Sequence, residues 1–375
     1  MTQINRALSG ITAIAFLALG VAAAAQQSSP LKTRNVVLIV SDGLRWQEIF
    51  TGADKSLMDS EHGGIWADPR TLQQKFWRDD ISERRKALFP FLWGNIALHG
   101  QIYGNQTKGS IAHVTNGKAF SYPGYNEMLT GVPDSRIDRN EFGPNPNKTV
   151  FEWLNSSPEF RGKVAVFGTW KIFEDIFNKK RSGLVMQVGW DEPETGSLTL
   201  RQGLLNELFR TTTRLDDEDL YDSFLQIPLL EYVSAKRPRL LFVGYGETDN
   251  WAHSGRYDLV LESAHGFDHF VEQLWTTMQS MPEYRDQTTF ILTTDHGRGS
   301  GLVEWKEHGV EEKGSENIWI AVMGPDTAAL GERVNVDAVT QSQIASTVAA
   351  LLGKNYRSEV PAAGAPLSQA IGANK

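Results

Sequence analysis

The feature that most narrows the fold is a set of short, continuous apolar runs placed far apart along the chain. They are Asn35–Val40 (NVVLIV), Lys163–Phe167 (KVAVF), Arg239–Val243 (RLLFV), Thr289–Thr293 (TFILT) and Asn317–Met323 (NIWIAVM), each followed by Gly, Ser or Thr. A strand with one face in water alternates apolar and polar residues, whereas a strand covered on both faces reads as unbroken apolar sequence. Between the runs lie helical patterns. Arg256–Ser280 repeats Leu259, Leu261, Phe267, Phe270 and Leu274 at helical spacing, and Gln341–Leu352 is amphipathic. Strand and helix in alternation predict an α/β protein with a mostly parallel central sheet sandwiched by helices.

A length of 375 residues allows two domains, but the regular strand–helix rhythm favours one large domain over residues 32–355. Two stretches interrupt it, near 51–95 and 170–235, and both read as helical or loop-rich inserted cap segments on the rim of a cleft. Residues 361–375 read as a flexible tail. At the other end, residues 1–25 hold one Arg, an apolar run from Ile11 to Ala25 and an Ala-x-Ala pattern before Gln26, as a cleaved secretory signal peptide would. That run is short for a bilayer span, so the expectation is a periplasmic or secreted protein with no membrane span after cleavage.

Acids outnumber bases, 45 to 37, which argues against a nucleic-acid-coating protein. The chain has no cysteine, which removes disulfides, thiolate metal sites and thiol nucleophiles. Any chemistry falls to oxygen and nitrogen groups.

In open parallel sheets, ligands bind beyond the carboxyl ends of the strands. Three of the runs are followed by acid or imidazole there: Asp42 in SDG, Asp249 and His253 in ETDNWAH, and Asp295-His296 in TTDHG. His308 in EHG precedes the last run. A single such Asp is usually a turn or cap residue, but four places together point to a shared site. Asp249 and His253, four apart, share one face of a helical turn and can hold the same ion. Carboxylates mixed with imidazoles favour zinc, with manganese or iron as alternatives. Ser121 in FSYPGYNEMLTG is the candidate nucleophile. Pro123 suits the first turn of a helix, which puts the Ser121 hydroxyl at its amino end, where free amides stabilise an anion.

In this order along the chain, the motifs resemble those of the alkaline phosphatase superfamily, most closely its nucleotide pyrophosphatase and phosphodiesterase-like branch, over roughly residues 35–325. The resemblance implies two Zn2+ ions, one held by Asp249, His253 and His308, the other by Asp42, Asp295, His296 and the Ser121 oxygen. It also implies that Asn140, in DSRIDRNEF, binds a phosphoryl oxygen. Threonine is common at the nucleophile position of that branch, and serine stands there in this chain. The implied reaction is hydrolysis of a small-molecule phosphate ester through a phosphoseryl intermediate at Ser121.

Two divalent cations against three aspartates and a serine alkoxide leave a neutral cluster, which favours a phosphodiester or phosphoanhydride over a dianionic monoester. A monoester enzyme would aim Lys or Arg at the substrate. Arg45, Lys171 and Arg298 are the candidates, each also readable as a rim residue. Formylglycine sulfatases mature from Cys or Ser followed by x-Pro-x-Arg, whereas here Tyr125 stands at the Arg position. The competing readings are a sulfatase or phosphonate-ester hydrolase of the same superfamily, or a non-catalytic metal-containing binding protein. His265 and His269 read as helix-surface or packing residues, and His62, His99 and His113 have no partner in the pattern. Trp46, Trp170 and Trp251 lie close to motif residues and could line a pocket.

Overall fold

The apolar runs become the spine of a sheet. The computed structural model describes residues 30–192 and 199–372, so the predicted signal segment lies outside the described residues. Among the described residues ten strands are formed: β1 (Asn35–Ser41), β2 (Gly100–Tyr103), β3 (Ala112–His113), β4 (Val164–Gly168), β5 (Val185–Val188), β6 (Leu240–Tyr245), β7 (Thr288–Thr293), β8 (Ile320–Met323), β9 (Gly331–Glu332) and β10 (Val339–Thr340). Eight of them make one sheet in the order β5-β4-β6-β1-β7-β8-β2-β9, and β3 pairs with β10. Neighbours from β5 through β7 are all parallel. β8 runs antiparallel to both β7 and β2.

β1 shows why its sequence is unbroken in apolarity. Val37 and Ile39 belong to one core cluster, and Val36, Leu38 and Val40 to another on the opposite face, every one fully buried. At ~1.5–3 kcal/mol per buried aliphatic side chain, burial on both faces fixes this strand at the centre of the sheet. One face is covered by helices that include Tyr257–Gln279 and Asp222–Lys236, the other by Ser121–Thr130, Val150–Ser156 and Gln343–Leu351. The two helices expected from sequence, over 256–280 and 341–352, form as Tyr257–Gln279 and Gln343–Leu351.

Two regions differ from expectation. Residues 170–235 are more than an inserted cap: they supply β5, the edge strand of the main sheet, and the helix Asp222–Lys236. The end of the chain is packed rather than flexible over 361–372. Ala363, Leu367 and Ala370 are buried, Gly364 N–H donates to Gly131 O (3.1 Å), and Leu367 N–H donates to Thr347 Oγ1 (2.9 Å). Residues 373–375 lie outside the described residues. From Leu31 onward the chain is one compact unit.

Because β4, β6, β1 and β7 are parallel, their carboxyl ends share one edge of the sheet. Thr169, Gly246, Asp42 and Thr294 follow them there, and the candidate site residues gather around this edge.

Candidate active site

Two groups of acid and imidazole side chains converge, each with its ligand atoms within 4.8 Å of one another: Asp42, Asp295 and His296, all buried, and Asp249, His253 and His308, partly exposed. All six positions singled out in the sequence fall into these groups.

The buried group is built on strand ends. Asp42 follows β1, its backbone N–H bonded to Tyr245 O (2.9 Å) and its carbonyl accepting the Thr248 hydroxyl (2.5 Å). Tyr125 OH donates to Asp42 Oδ2 (2.9 Å), and Gly43 N–H donates to Asp295 Oδ1 (3.1 Å). Gly43 has φ +58, and a Cβ there would stand 2.7 Å from Asp249 Oδ1, so both its backbone and its surroundings require glycine. His296 Nδ1 lies 2.9 Å from Gly297 O, a contact that places the proton of the neutral ring on Nδ1 and leaves Nε2 bare.

Nε2 faces Asp42 Oδ1 and Asp295 Oδ2, each 3.4 Å away, and neither of those buried carboxylate oxygens has a hydrogen-bond partner. Burial would keep the imidazole neutral, but Asp295 and Asp42 outweigh it and push its pKa up to about 9. Burial, reinforced by Asp42, pushes Asp295 up to about 8. Without a metal the imidazolium is the cation between these oxygens, and a divalent ion would replace its Nε2 proton and take the same lone pairs. Tetrahedral zinc with bonds of ~2.0–2.1 Å separates its ligands by roughly 3.3 Å, close to the spacing found here. The donor set therefore fits a divalent metal.

The second group comes from helix Glu247–His253 and the segment following Asp295. His253 Nε2 is 3.3 Å from Asp249 Oδ2 and 2.9 Å from His308 Nε2, and His308 Nε2 is 3.8 Å from Asp249 Oδ1. Burial keeps both His253 and His308 below the ordinary histidine value. Two neutral imidazole nitrogens facing each other form another pair of donors for a metal. The groups adjoin, since the His296 and His308 rings stack with centroids 3.9 Å apart.

Ser121 Oγ lies 3.4 Å from His296 Nε2. Ser121 opens the helix Ser121–Thr130 after an extended Phe120, and Gly131, in the left-handed region, closes it. The helix packs directly on the ligand loop, where a Cβ on Gly124 would come within 2.4 Å of Asp295 O. Ala119, with φ +51, is held by Asn116 Oδ1, which accepts its N–H (3.0 Å), and the buried Glu127 ties Thr115 and Asn116 to the helix. A strained residue two positions before the candidate nucleophile is thus fixed by its surroundings. Asn140 Oδ1 accepts the Tyr122 N–H (3.1 Å), which sets Asn140 beside the start of this helix.

The cationic candidates are all occupied. Arg45 and Arg298 are buried instead of forming a rim. Arg45 pairs with Glu48. Arg298 donates to Asp249 Oδ1 and Lys306 O. Lys171 bonds Asp191 (2.6 Å) and Glu174 (3.1 Å). The contact between Arg298 and Asp249 was missed from sequence because the partners are 49 residues apart. Tyr125 was legible in principle, since four residues from Ser121 places it on the same helix face. Burial, with Asp216 and Asp42, pushes Asp219 up to about 8, so near neutral pH it holds its proton and leaves the charge of the cluster unchanged.

Four of the other histidines have partners of their own: His265 with Leu88 O (2.8 Å), His269 with Gln273 (2.9 Å), His62 with Asp59 and His99 with Asn95 O. His113 lies in β3. Trp46 and Trp251 pack against one core cluster and Trp170 against the other, all half-buried.

No protein-family model matches the chain, and no curated protein matches it. Solved structures do. The alkaline phosphatase PafA superimposes with a TM-score of 0.58 at 11% identity, spanning 92% of this chain and 99% of that one. The phosphonate monoester hydrolase of Agrobacterium radiobacter gives 0.52 at 13%, over 85% and 74%. The lipoteichoic acid synthase LtaP from Listeria monocytogenes gives 0.52 at 11%, over 86% and 72%. These neighbours belong to the alkaline phosphatase superfamily, and their likeness shows that this chain has the same α/β fold. The phosphodiesterase-like branch is not distinguished among them.

Proposed function

We propose that this is an exported, metal-dependent hydrolase of phosphate esters, with Ser121 as its nucleophile. Asp42, Asp295, His296 and the Ser121 oxygen would hold one zinc ion, and Asp249, His253 and His308 the other. Bound zinc supplies Lewis-acid chemistry that acidifies a hydroxyl and offsets charge on the leaving oxygen. The observation that carries the reading is the convergence of six ligand side chains in two adjoining groups, with Ser121 Oγ beside His296 and partnerless buried oxygens on Asp42 and Asp295.

Ser121 gives its hydroxyl proton to solvent and Oγ attacks phosphorus in line with the leaving oxygen, forming the Ser121 O–P bond as the P–O bond of the ester breaks; the leaving oxygen takes a proton from water, and the hydroxide left is neutralised by the proton that Ser121 released. A second water then displaces Ser121 and releases phosphate or its monoester. Tyr122 N–H is taken by Asn140 Oδ1, Pro123 has no N–H and Gly124 N–H bonds Phe120 O, so the helix beginning at Ser121 offers the phosphoryl oxygens its positive dipole end rather than a set of free amides. Asn140, anchored through Oδ1, has its amide donors for one of those oxygens. Asp42 is oriented by Tyr125, and His296 by Gly297 O.

A phosphodiester or phosphoanhydride suits the site better than a monoester, because Arg45, Lys171 and Arg298 all have anionic or carbonyl partners already. Sulfate-ester hydrolysis is the competing reading on this scaffold. Against a formylglycine mechanism, Tyr125 fills the position that such enzymes give to Arg, and it is buried on Asp42.

The test is a parallel assay of nitrophenyl phosphate, bis-nitrophenyl phosphate, a phosphonate ester and nitrophenyl sulfate, with and without chelator and added zinc. Diester turnover should dominate and vanish on chelation. Ser121→Ala should lower it by about 10^4-fold or more with metal content intact. Dominant sulfate turnover would overturn the reaction class, and full activity after metal stripping would overturn the mechanism. Absence of turnover on every ester would favour the metal-containing binding protein.

A further inference from the structure

At the opposite end of the sheet from the site lies a shallow groove of about 550 Å³, lined by residues that precede the strands. Arg34 and Asn35 open β1, Lys163 precedes β4, Arg239 precedes β6, and Lys236 and Arg237 end the helix leading into it. Five cations face two acids, Glu159 and Glu283, on a protein with a net charge of −8. Arg239 bonds Glu159 (2.9 Å) and Arg237 bonds Glu283 (2.8 Å). Lys354 shares Glu159 (2.7 Å), adding a sixth cation at the margin. Arg34, Lys163 and Lys236 are exposed and belong to no ion pair among the described residues. The patch is therefore cationic against the sign of the whole chain.

The position of the patch along the chain suggests what it meets. The described chain enters at Pro30, four residues before Arg34, and the apolar run Ile11–Ala25 ends five residues before Pro30 in sequence. Nine residues of extended chain, from Ala25 to Arg34, reach at most ~32 Å. An apolar run inserted in a bilayer, during export or afterwards, would hold Arg34 within that distance of the lipid headgroups. Basic residues that close to an anionic leaflet are attracted to it, and an apolar segment combined with a basic patch is a two-part membrane attachment.

We propose that this basic face docks on an anionic lipid surface, with the candidate active site turned away from it. β1 alone, seven residues at ~3.3 Å each, puts roughly 20 Å between the groove and Asp42, so a docked molecule keeps its cleft open to soluble substrate. The proposal stands on charge and topology and is independent of which ester is cleaved.

Co-sedimentation with vesicles tests it, using the full chain and the chain starting at Gln26. One vesicle set is pure phosphatidylcholine, and the other contains about a third phosphatidylglycerol. Both chains should prefer the anionic vesicles, and half-molar salt should abolish that preference. The triple variant Arg34→Gln, Lys163→Gln, Lys236→Gln should bind them roughly a hundredfold more weakly, at about fivefold per charge. Its thermal unfolding and ester turnover should match the parent, which separates this test from failure of the catalytic reading. Equal binding to neutral and anionic vesicles, or unchanged binding by the triple variant, would overturn the proposal. So would tighter binding to duplex DNA or a sulfated polysaccharide than to the anionic vesicles, which would identify a different polyanion as the occupant.

Discussion

The two ligand groups differ in how the fold holds them. Asp42, Asp295 and His296 stand at the ends of buried central strands, where the His296 and Asp295 side chains are fully enclosed. Asp249, His253 and His308 stand on a seven-residue helix and a loop, and the His253 side chain is 41% exposed. In the first group the only cation is the titratable imidazole of His296, which can give its proton up to a metal, whereas the second has the permanently charged Arg298 already on Asp249. An enclosed group at strand ends is rigid, and on the proposed reading a metal would satisfy its buried carboxylates. An exposed group with an internal guanidinium can lose its metal and remain folded. The buried side thus suits holding the nucleophile, and the open side suits admitting water and releasing product.

On this contrast, the largest effects come from the buried side. Asp295→Asn should cost about 10^3-fold or more in turnover and remove tightly bound metal, read by elemental analysis after gel filtration. His253→Ala should cost less, about 10–100-fold, and excess zinc should partly restore it. Graded chelation should remove one metal per chain well before the second. Simultaneous loss of both, or a larger deficit from His253→Ala than from Asp295→Asn, would break the comparison.

Arg298→Met tests the open side next. In the metal-free protein it leaves Asp249 without its counter-charge, and stability should fall by about 3–5 kcal/mol. Saturating zinc should recover much of that loss, because the metal takes the place of the guanidinium, and differential scanning calorimetry with and without zinc reads the difference. An unchanged metal-free Tm would show that Arg298 does not stand in for a cation. Gly124→Ala is a smaller structural probe. Its Cβ would press on Asp295 O, and moving the helix to relieve that contact should cost about 1–3 kcal/mol and disturb Ser121. Turnover should therefore drop with retained metal.

What could be read in the sequence followed from periodicity and local spacing. β1, β4, β6 and β7 were legible because burial on both faces writes unbroken apolar runs. β5 was not: VMQV is short and at the sheet edge, with Val185 exposed and Gln187 within it, so nothing distinguishes it from a loop. The packing of 361–372 was equally hidden, since Ala363, Leu367 and Ala370 follow neither helical nor strand spacing. In the site, Asp249 and His253 were readable as one helix face. Arg298 was not, because its partner is set by tertiary folding and no local rule pairs a DHGR arginine with an aspartate on a helix 49 residues earlier. The positive φ of Ala119 left no residue-type signal at all.

The smallest effect concerns a buried carboxylate with no cation cluster around it, and so measures what the ligand aspartates would suffer without metal. Asp268, on the helix Tyr257–Gln279, accepts Phe91 N–H (2.6 Å) and Leu92 N–H (2.8 Å). Burial outweighs those two bonds and raises its pKa to about 7. The folded value lies above the ordinary carboxylate value, so the native state holds the proton more tightly than the unfolded chain does. Stability from this group is complete at acid pH below the unfolded pKa and declines as pH rises through the folded value. Tm measured with chelator present should therefore fall between about pH 4.5 and pH 8, and Asp268→Asn, which keeps a carbonyl acceptor for the two amides, should flatten part of that fall. For a chain this long the change is a few degrees, at about 2 °C per kcal/mol. A variant whose pH profile parallels the parent would mean that the two amide bonds keep Asp268 ionised. In that case backbone donors alone would suffice for a buried carboxylate, and the partnerless oxygens of Asp42 and Asp295 would stand out still more sharply as metal ligands.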